Sequence, residues 1–403
     1  MSDDIACIGG GPASAFAALE ILKRGKNVEI FEEHKEIGVP THCAGLISVS
    51  GFNKLGIKVP EECIQHKVKG SIFYSPSGHT LKVKRKKDQA YVIDRAKFDR
   101  FLVDNVERQG GKVHLNAKVT SLISDNKKIE GVVVQDREGP KRIKTKIIID
   151  GEGFKANFLK EAGLKPVNRE RIIPAVQFDM TDVRVDEDYV EIYVGRKIAP
   201  GFFAYIIPTS SNTARVAVGS SSDKPMNYMR YFIKKHPIAS PKLKEGTICK
   251  RGGGWIIIGG PVKKTYMPGF MGIGDAVGQV KATTGGGVVF GGLCAQIAGK
   301  TAAEAITQND FSENMLRGYQ IEWQRLYLRE LKLMKLLRQV LNALPDRSLD
   351  ELFRSVSKPG IEIPKLVEEM GDMDMQGNLI KKILFSPKIF QIGVAILIGL
   401  LIH

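Results

Sequence analysis

The chain has 403 residues, 43% hydrophobic and 26% charged, the balance of an ordinary globular protein with two or three domains. Its 60 Lys and Arg against 44 Asp and Glu give a net charge of +16, which favours anionic partners and says nothing about fold. Five cysteines (Cys7, Cys43, Cys63, Cys249, Cys294) in no C-x-x-C pair and no His-flanked spacing argue against structural zinc or a disulfide framework, and for a reducing compartment.

In chain order, residues 4–8 read as a short buried strand running directly from the N-terminus. This predicts no signal peptide and a protein kept on the cytosolic side. A glycine run follows, then helical spacing from Ala15 to Lys23 ended by Gly25, and a second strand over Val28–Phe31. That is a βαβ unit opening a doubly wound sheet. Ser75-Pro76-Ser77-Gly78 is a turn between two β-like runs. Lys82 and Lys84 behind it suit a solvated edge strand.

Helical spacing returns over Asp94–Arg108, followed by short strands over 113–115, 119–123, 132–135 and 143–149. From 170 to 260 the pattern is repeatedly β, at 172–180, 189–194, 202–207, 214–218 and 255–258. After Gly291 it is helical, over 293–307 and 319–344. The fold expected is α/β (α+β overall): a Rossmann-like nucleotide-binding domain with an inserted β-sheet substrate domain and a helical C-terminal region. The nucleotide-binding parts fall at 1–65, 94–168 and 263–308. Substrate-domain strands take 66–93 and the substrate sheet 169–262, with the helical region at 309–403.

Gly9-Gly10-Gly11-Pro12-Ala13-Ser14 sits between the first strand and helix. Gly9 permits the tight turn, Gly11 admits a pyrophosphate, and Ser14 stands where a third glycine would pack helix on strand. The helix start offers free N–H groups to phosphate. Glu32 closes the second strand, where a carboxylate accepts ribose hydroxyls. A second motif, Gly272-Ile273-Gly274-Asp275-Ala276-Val277-Gly278, puts a carboxylate beside a helix start. Thr283-Thr284-Gly285-Gly286-Gly287 then leaves bare backbone on which a flat ring could lie.

The glycine turn, Glu32, the Cys43-Ala44-Gly45 run, the Arg95-Ala96-Lys97-Phe98-Asp99 helix start and Gly-Asp-Ala-x-Gly at 274–278 together resemble the geranylgeranyl reductase family. This family lies within the wider group of FAD proteins shaped like aromatic hydroxylases. The resemblance spans residues 4 to 300 and fades beyond; archaeal members of the family saturate the isoprenoid chains of membrane lipids.

It implies FAD contacts at Ala13, Glu32, Cys43, Ala44, Gly45, Arg95, Val119, Asp275, Gly287 and Val288, with Arg95 towards the phosphates, beside the Gly9 and Gly11 read from the turn. Asp150-Gly151 resembles the family's Asp-Gly motif at a sheet end. Cys43 matches its cysteine beside the isoalloxazine. Alkene reduction needs a hydride, which flavin can supply, and a proton, for which Cys43 or its neighbour His42 is the candidate. The family's Pro-x-x-Tyr-x-Trp-x-Phe-Pro cavity segment becomes Pro200–Pro208, with Phe203, Tyr205 and Ile207 in the aromatic slots. The changed aromatics bear on chain length and substrate.

The expected reaction is reduction of isoprenoid double bonds in a geranylgeranylated lipid precursor. The alternatives on these residues are a flavin monooxygenase acting on a hydrophobic substrate and a tRNA-binding flavoprotein. No basic stripe interleaved with aromatics supports nucleic acid. The electron donor is left open among ferredoxin, a deazaflavin and a nicotinamide. Ile389–Ile402 is nearly all apolar and as a helix spans roughly 21 Å, short of the ~30 Å hydrocarbon core. Lys381, Lys382 and Lys388 precede it. It suits a monotopic anchor on anionic lipid at the cytosolic face, a core helix being the alternative.

Overall fold

Three hydrophobic runs set the centre of the molecule. Ile5–Ile8, Val28–Phe31 and Ile147–Asp150 are buried throughout, the unbroken pattern of parallel strands covered on both faces. They pair in parallel, Ile5 opposite both Val28 and Ile147. The six-stranded sheet runs Tyr266–Met267, Phe270–Gly272, Ile147–Asp150, Ile5–Ile8, Val28–Phe31, Lys112–His114. This computed structural model describes residues 4–125, 128–222, 224–356, 368–369 and 371–377.

Helix Pro12–Leu22 returns the chain from first to second strand. It ends at Gly25, whose left-handed φ of 68° suits glycine and whose N–H donates to Leu22 O. The long helix Val288–Gln308 lies against it at Gly299, where a Cβ would stand 2.4 Å from the Ala17 carbonyl oxygen. Only a glycine lets the two backbones approach so closely.

A second, seven-stranded sheet runs Thr247–Ile257, Ile172–Thr181, Thr213–Gly219, Ala204–Pro208, Tyr189–Tyr193, Gly70–Tyr74, Thr80–Lys84. Helix Pro225–Lys234 covers one face with Met229, Phe232 and Ile233, against Tyr193, Phe178 and Val216. The repeated β pattern from 170 to 260 hid this helix. Its ten residues fall between strands in a stretch whose β signal dominates. The other face carries Gln177, Asp179, Tyr205, Ile207 and Arg215, which the register places side by side. Lys82 and Lys84 are exposed on the edge strand, both near the Tyr189 ring.

The stretch 66–93 divides between two sheets. Gly70–Tyr74 and Thr80–Lys84 join the seven-stranded sheet; Ala90–Ile93 pairs on one side with Leu46–Ser48 and on the other with Ile64–Val68 in a small separate one. The strand expected over 143–149 is two elements. Gly139–Lys144 closes a hairpin and Ile147–Asp150 enters the central sheet. The helix expected over 319–344 is interrupted by a π-helical turn at Gln324–Leu328, between Glu313–Trp323 and Arg329–Ala343.

The apolar stretch Ile389–Ile402 and its preceding lysines lie outside the described residues. Among those described, no helix is long and apolar enough to cross a membrane.

Candidate active site

At the end of the first strand the chain must turn sharply, and Gly9 does so at φ 88° with Gly151 O only 2.9 Å from where a Cβ would stand. Its N–H donates to Phe31 O at 2.8 Å. Gly11 caps the following helix with no side-chain hydrogen bond, and no atom lies within 4 Å of the position its Cβ would take. This open, uncapped helix start has the positive dipole end and free N–H groups that a phosphate requires.

Ser14 is fully buried and donates to Ile8 O. A side chain at Gly151 would collide with it, so the missing third glycine of the motif is supplied from the facing strand end. Glu32 accepts from Gly10 N at 2.6 Å and from His34 N at 2.9 Å. That fixes it at the turn and leaves further lone pairs for a hydroxyl.

The second motif lies across the same turn. A Cβ on Gly274 would approach Ala13 Cβ at 3.1 Å, and one on Gly287 would meet Asp275 Oδ1 at 2.5 Å. Gly287 therefore makes room for the Asp275 carboxylate, to which no described residue donates a hydrogen bond. Burial pushes the pKa of Asp275 up, opposed by Arg95. Val119 is buried with Ala6, Ile8 and Phe31 beside the first strands. Val288 opens the long helix next to Gly287 and packs on the core. The open cradle at Gly11 and the unpartnered Asp275 carboxylate fit the pyrophosphate and the hydroxylated chain of a flavin dinucleotide.

Arg95 was expected to face phosphates. It gives both Nε and an Nη to Asp99, each at 2.9 Å, and acts electrostatically on Cys43 and Asp275. Asp94 caps its helix by accepting from Ala96 N and Lys97 N. Cys43 is half-buried, and its sulfur accepts from Gly45 N at 3.4 Å.

The Cys43–Gly45 loop is pressed onto the seven-stranded sheet, with Gly45 at φ 71°. Arg215, buried, donates to Ala44 O at 2.5 Å, to Asp179 at 3.0 Å and to Gln65 at 3.1 Å. Tyr205 donates to Gln177 Oε1 at 2.9 Å. Burial, with Cys43 nearby, pushes its phenol pKa up and keeps it protonated. Phe203 stacks on Phe202 at 4.2 Å and lies 6.3 Å from Tyr205. Ile207 is buried with Val68, Val92 and Val190, and Ala44 and Tyr205 pack beside it. His42 crosses the strand at Gly254, where a Cβ would lie 3.3 Å from His42 Cβ. The sheet thus brings Cys43, Ala44 and the three predicted cavity residues to one face.

Sequence reasoning missed Arg215, Lys281 and Asp374. Lys281 donates to Asp374 Oδ1 at 2.6 Å and to Met373 O at 3.1 Å, with both side chains almost inaccessible. The other Asp374 oxygen accepts from Ser48 Oγ, and Lys54 holds Asp372 at 2.6 Å. Segment 371–377 is thereby tied to the Thr283–Gly287 loop, and Met373 packs with Ile207, Tyr205 and Ala44. The local signal was faint, because Asp372-Met373-Asp374-Met375 lies 93 residues from Lys281 and has no periodicity.

Asp150 and Glu152 stand at the strand end facing Gly9. Asp150 Oδ2 is buried with no hydrogen-bond partner among the described residues, and burial beside Glu152 pushes its pKa well up. Burial raises Glu152 from 4.5 to about 7. A carboxyl protonated in the folded state but ionised in the unfolded one costs stability as pH climbs from its unfolded towards its folded pKa. Wild-type protein should therefore lose stability between pH 4.5 and 7. Glu152→Gln, which still accepts from Phe158 N, should flatten that slope and gain on the order of 1 kcal/mol at pH 8. Thermal melts across pH measure it; parallel curves for the two proteins would refute the assignment.

Residues 3–233 match a family model described as an FAD binding domain, and FAD is the cofactor this fold holds. The chain is 32% identical to a digeranylgeranylglycerophospholipid reductase of Methanocaldococcus jannaschii, over 91% of this chain and 94% of that one. A crystal structure of a geranylgeranyl bacteriochlorophyll reductase-like protein from Thermoplasma acidophilum superposes with a TM-score of 0.86 at 27% identity. It covers 97% of this chain and 98% of that one. A flavin-dependent brominase shares the fold alone, with a TM-score of 0.73 at 16% identity, over 93% of this chain and 94% of that one. With a relative 32% identical over 91% of its length and an FAD binding domain model matched over residues 3–233, the chain belongs to the family of the digeranylgeranylglycerophospholipid reductases.

Proposed function

We propose that this protein is an FAD-dependent oxidoreductase that reduces the isoprenoid C=C bonds of geranylgeranylated membrane-lipid precursors. The observation that carries this reading is the Cys43–Gly45 loop, fastened by Arg215 to a sheet face bearing Phe203, Tyr205 and Ile207. It sets Ala44, next to the half-buried Cys43 thiol, beside Tyr205 and Ile207 on a face that also carries Gln177, Asp179 and Arg215. The family relationship gives the same reading.

Reduced FAD, when bound, supplies a hydride to one alkene carbon. Gly9, Gly11 and Ala13 would hold its pyrophosphate end, Glu32 its ribose, and Asp275 with Arg95 the part between phosphates and ring. Val119, Ala44, Gly45, Gly287 and Val288 complete the enclosure. The second alkene carbon needs a proton, and Cys43 is the protein group placed to give it, with His42 beyond. Phe203, Tyr205 and Ile207 orient the chain and exclude water. The division proposed with it is FAD-binding at 1–65, 94–168 and 263–308 and substrate-binding at 66–93 and 169–262, of whose first stretch Gly70–Tyr74 and Thr80–Lys84 join the substrate sheet. The protein acts at the cytosolic face of the membrane, receiving electrons from ferredoxin, a deazaflavin or a nicotinamide.

The test is anaerobic. The protein is reduced with dithionite, a digeranylgeranylglycerophospholipid is added, and flavin reoxidation is followed alongside product mass. Reoxidation with two hydrogens gained per double bond supports the reading. Reoxidation only when oxygen enters would replace it with a monooxygenase. Cys43→Ala should lower the turnover rate by about 10²-fold with FAD content unchanged, and Cys43→Ser, which can donate a proton, should recover part. Full turnover by Cys43→Ala would reduce the thiol to packing.

A further inference from the structure

Helix Arg329–Ala343 carries two apolar stripes, and packing uses one. Leu331, Met334 and Arg338 are buried. On the far side Leu333, Leu336, Leu337 and Val340 recur at i, i+3, i+4 and i+7, with Leu336 55% and Val340 49% exposed. A helix that only covered a core would place polar residues there. Exposed Arg329 and Lys332, with Lys335 partly exposed, border this stripe. Upstream on the same helical run Ile321 and Leu326 are also exposed, alongside Arg317 and Arg325.

The acids of the run are occupied. Glu313 pairs with Lys264, Glu322 with Lys300, and Glu330 accepts from Gly377 N at 2.8 Å. The face therefore presents branched apolar side chains among cations whose local acids are engaged elsewhere.

We infer that this face docks on an anionic lipid bilayer, the helix lying in the interface plane with its leucines inserted and its cations among the headgroups. Charge complementarity selects this occupant over a second copy of the chain, which would bring equal positive charge to the contact. Gly377 N donates to Glu330 of this helix, so the last described segment lies beside it. On its buried side Arg338 donates to the Ala282 and Thr283 carbonyls and lies over the Phe202 and Phe203 rings, 4.6 and 5.8 Å from their centroids. The docked face is thus one helix, about 10 Å, from the aromatic end of the proposed cavity. The inference rests on the reading that the substrate is a membrane lipid.

The experiment uses full-length protein carrying FAD. Flotation with vesicles of phosphatidylglycerol and phosphatidylcholine is compared between wild type and Leu336→Glu/Val340→Glu, with turnover of detergent-solubilised lipid measured in parallel. The bound fraction of the variant should fall at least about tenfold while micellar turnover stays at the wild-type level. Undiminished vesicle binding would overturn the inference and leave docking to the tail. A shift from dimer to monomer in light scattering, with vesicle binding intact, would overturn it in favour of a second copy. Absence of micellar turnover in the wild type would refute the reductase reading, and flotation would still decide the face.

Discussion

Asp374→Ala is expected to destabilise the protein by about 3–5 kcal/mol, the cost of leaving a buried cation unpaired. Lys281 has less than a tenth of its side chain accessible, and among the described residues its ammonium otherwise meets only the Met373 carbonyl. Ser48 loses an acceptor by the same change. The effect should reach beyond stability, because Lys281 abuts Gly286, whose Cβ position is 2.7 Å from Lys281 Cε. FAD should dissociate more readily from the variant. Lys281→Met/Asp374→Leu, which removes both charges, should recover much of the loss, since an apolar pair of similar volume often replaces a buried ion pair at little cost. Denaturation midpoints and the flavin released on gel filtration measure both. A loss below about 1 kcal/mol for Asp374→Ala would mean that water reaches the pair and that segment 371–377 does not brace the glycine loop.

Arg215→Met is expected to lower turnover by about 10²-fold, because small misplacements of reacting groups cost that much. Arg215 serves three acceptors on different elements, and the one on Ala44 fixes the loop carrying Cys43. The Gly9–Ser14 turn is not among its partners, so FAD content should change little. Arg215→Lys keeps charge beside Asp179 but cannot span three acceptors, and should fall between the two. The discriminating readout is the rate of flavin reoxidation by lipid in a single turnover. A normal rate in Arg215→Met, with the protein folded, would show that the loop holds its position without the clamp.

The local signals in the sequence were those with a short physical range. A βαβ unit with a glycine turn needs only about thirty consecutive residues, and its strand, turn and helix form over Ile5–Phe31 as expected, with Glu32 accepting from Gly10 N. Strands with side-chain alternation were likewise legible. Thr247–Ile257 was seen only at its end, because Gly252, Gly253 and Gly254 have no side chains to alternate; Thr41 and His42 pass over that bare strand. Arg95 shows the limit of a motif. Its position in the helix start was readable, whereas its partner Asp99, one turn along, decides which way the guanidinium points.

By itself, then, the sequence determined the class of fold and the strand, glycine turn and helix that open it, since each depends on local backbone geometry and nearby side chains. The tertiary structure decided that Ala44, next to Cys43, packs beside Tyr205, that Arg215 fastens its loop, and that a segment near residue 374 closes on Lys281. Those arrangements depend on which face of a sheet meets which loop across 93 to 171 residues of chain. Burial gives the ion pairs and the clamp their strength, and burial is a property of the folded chain alone.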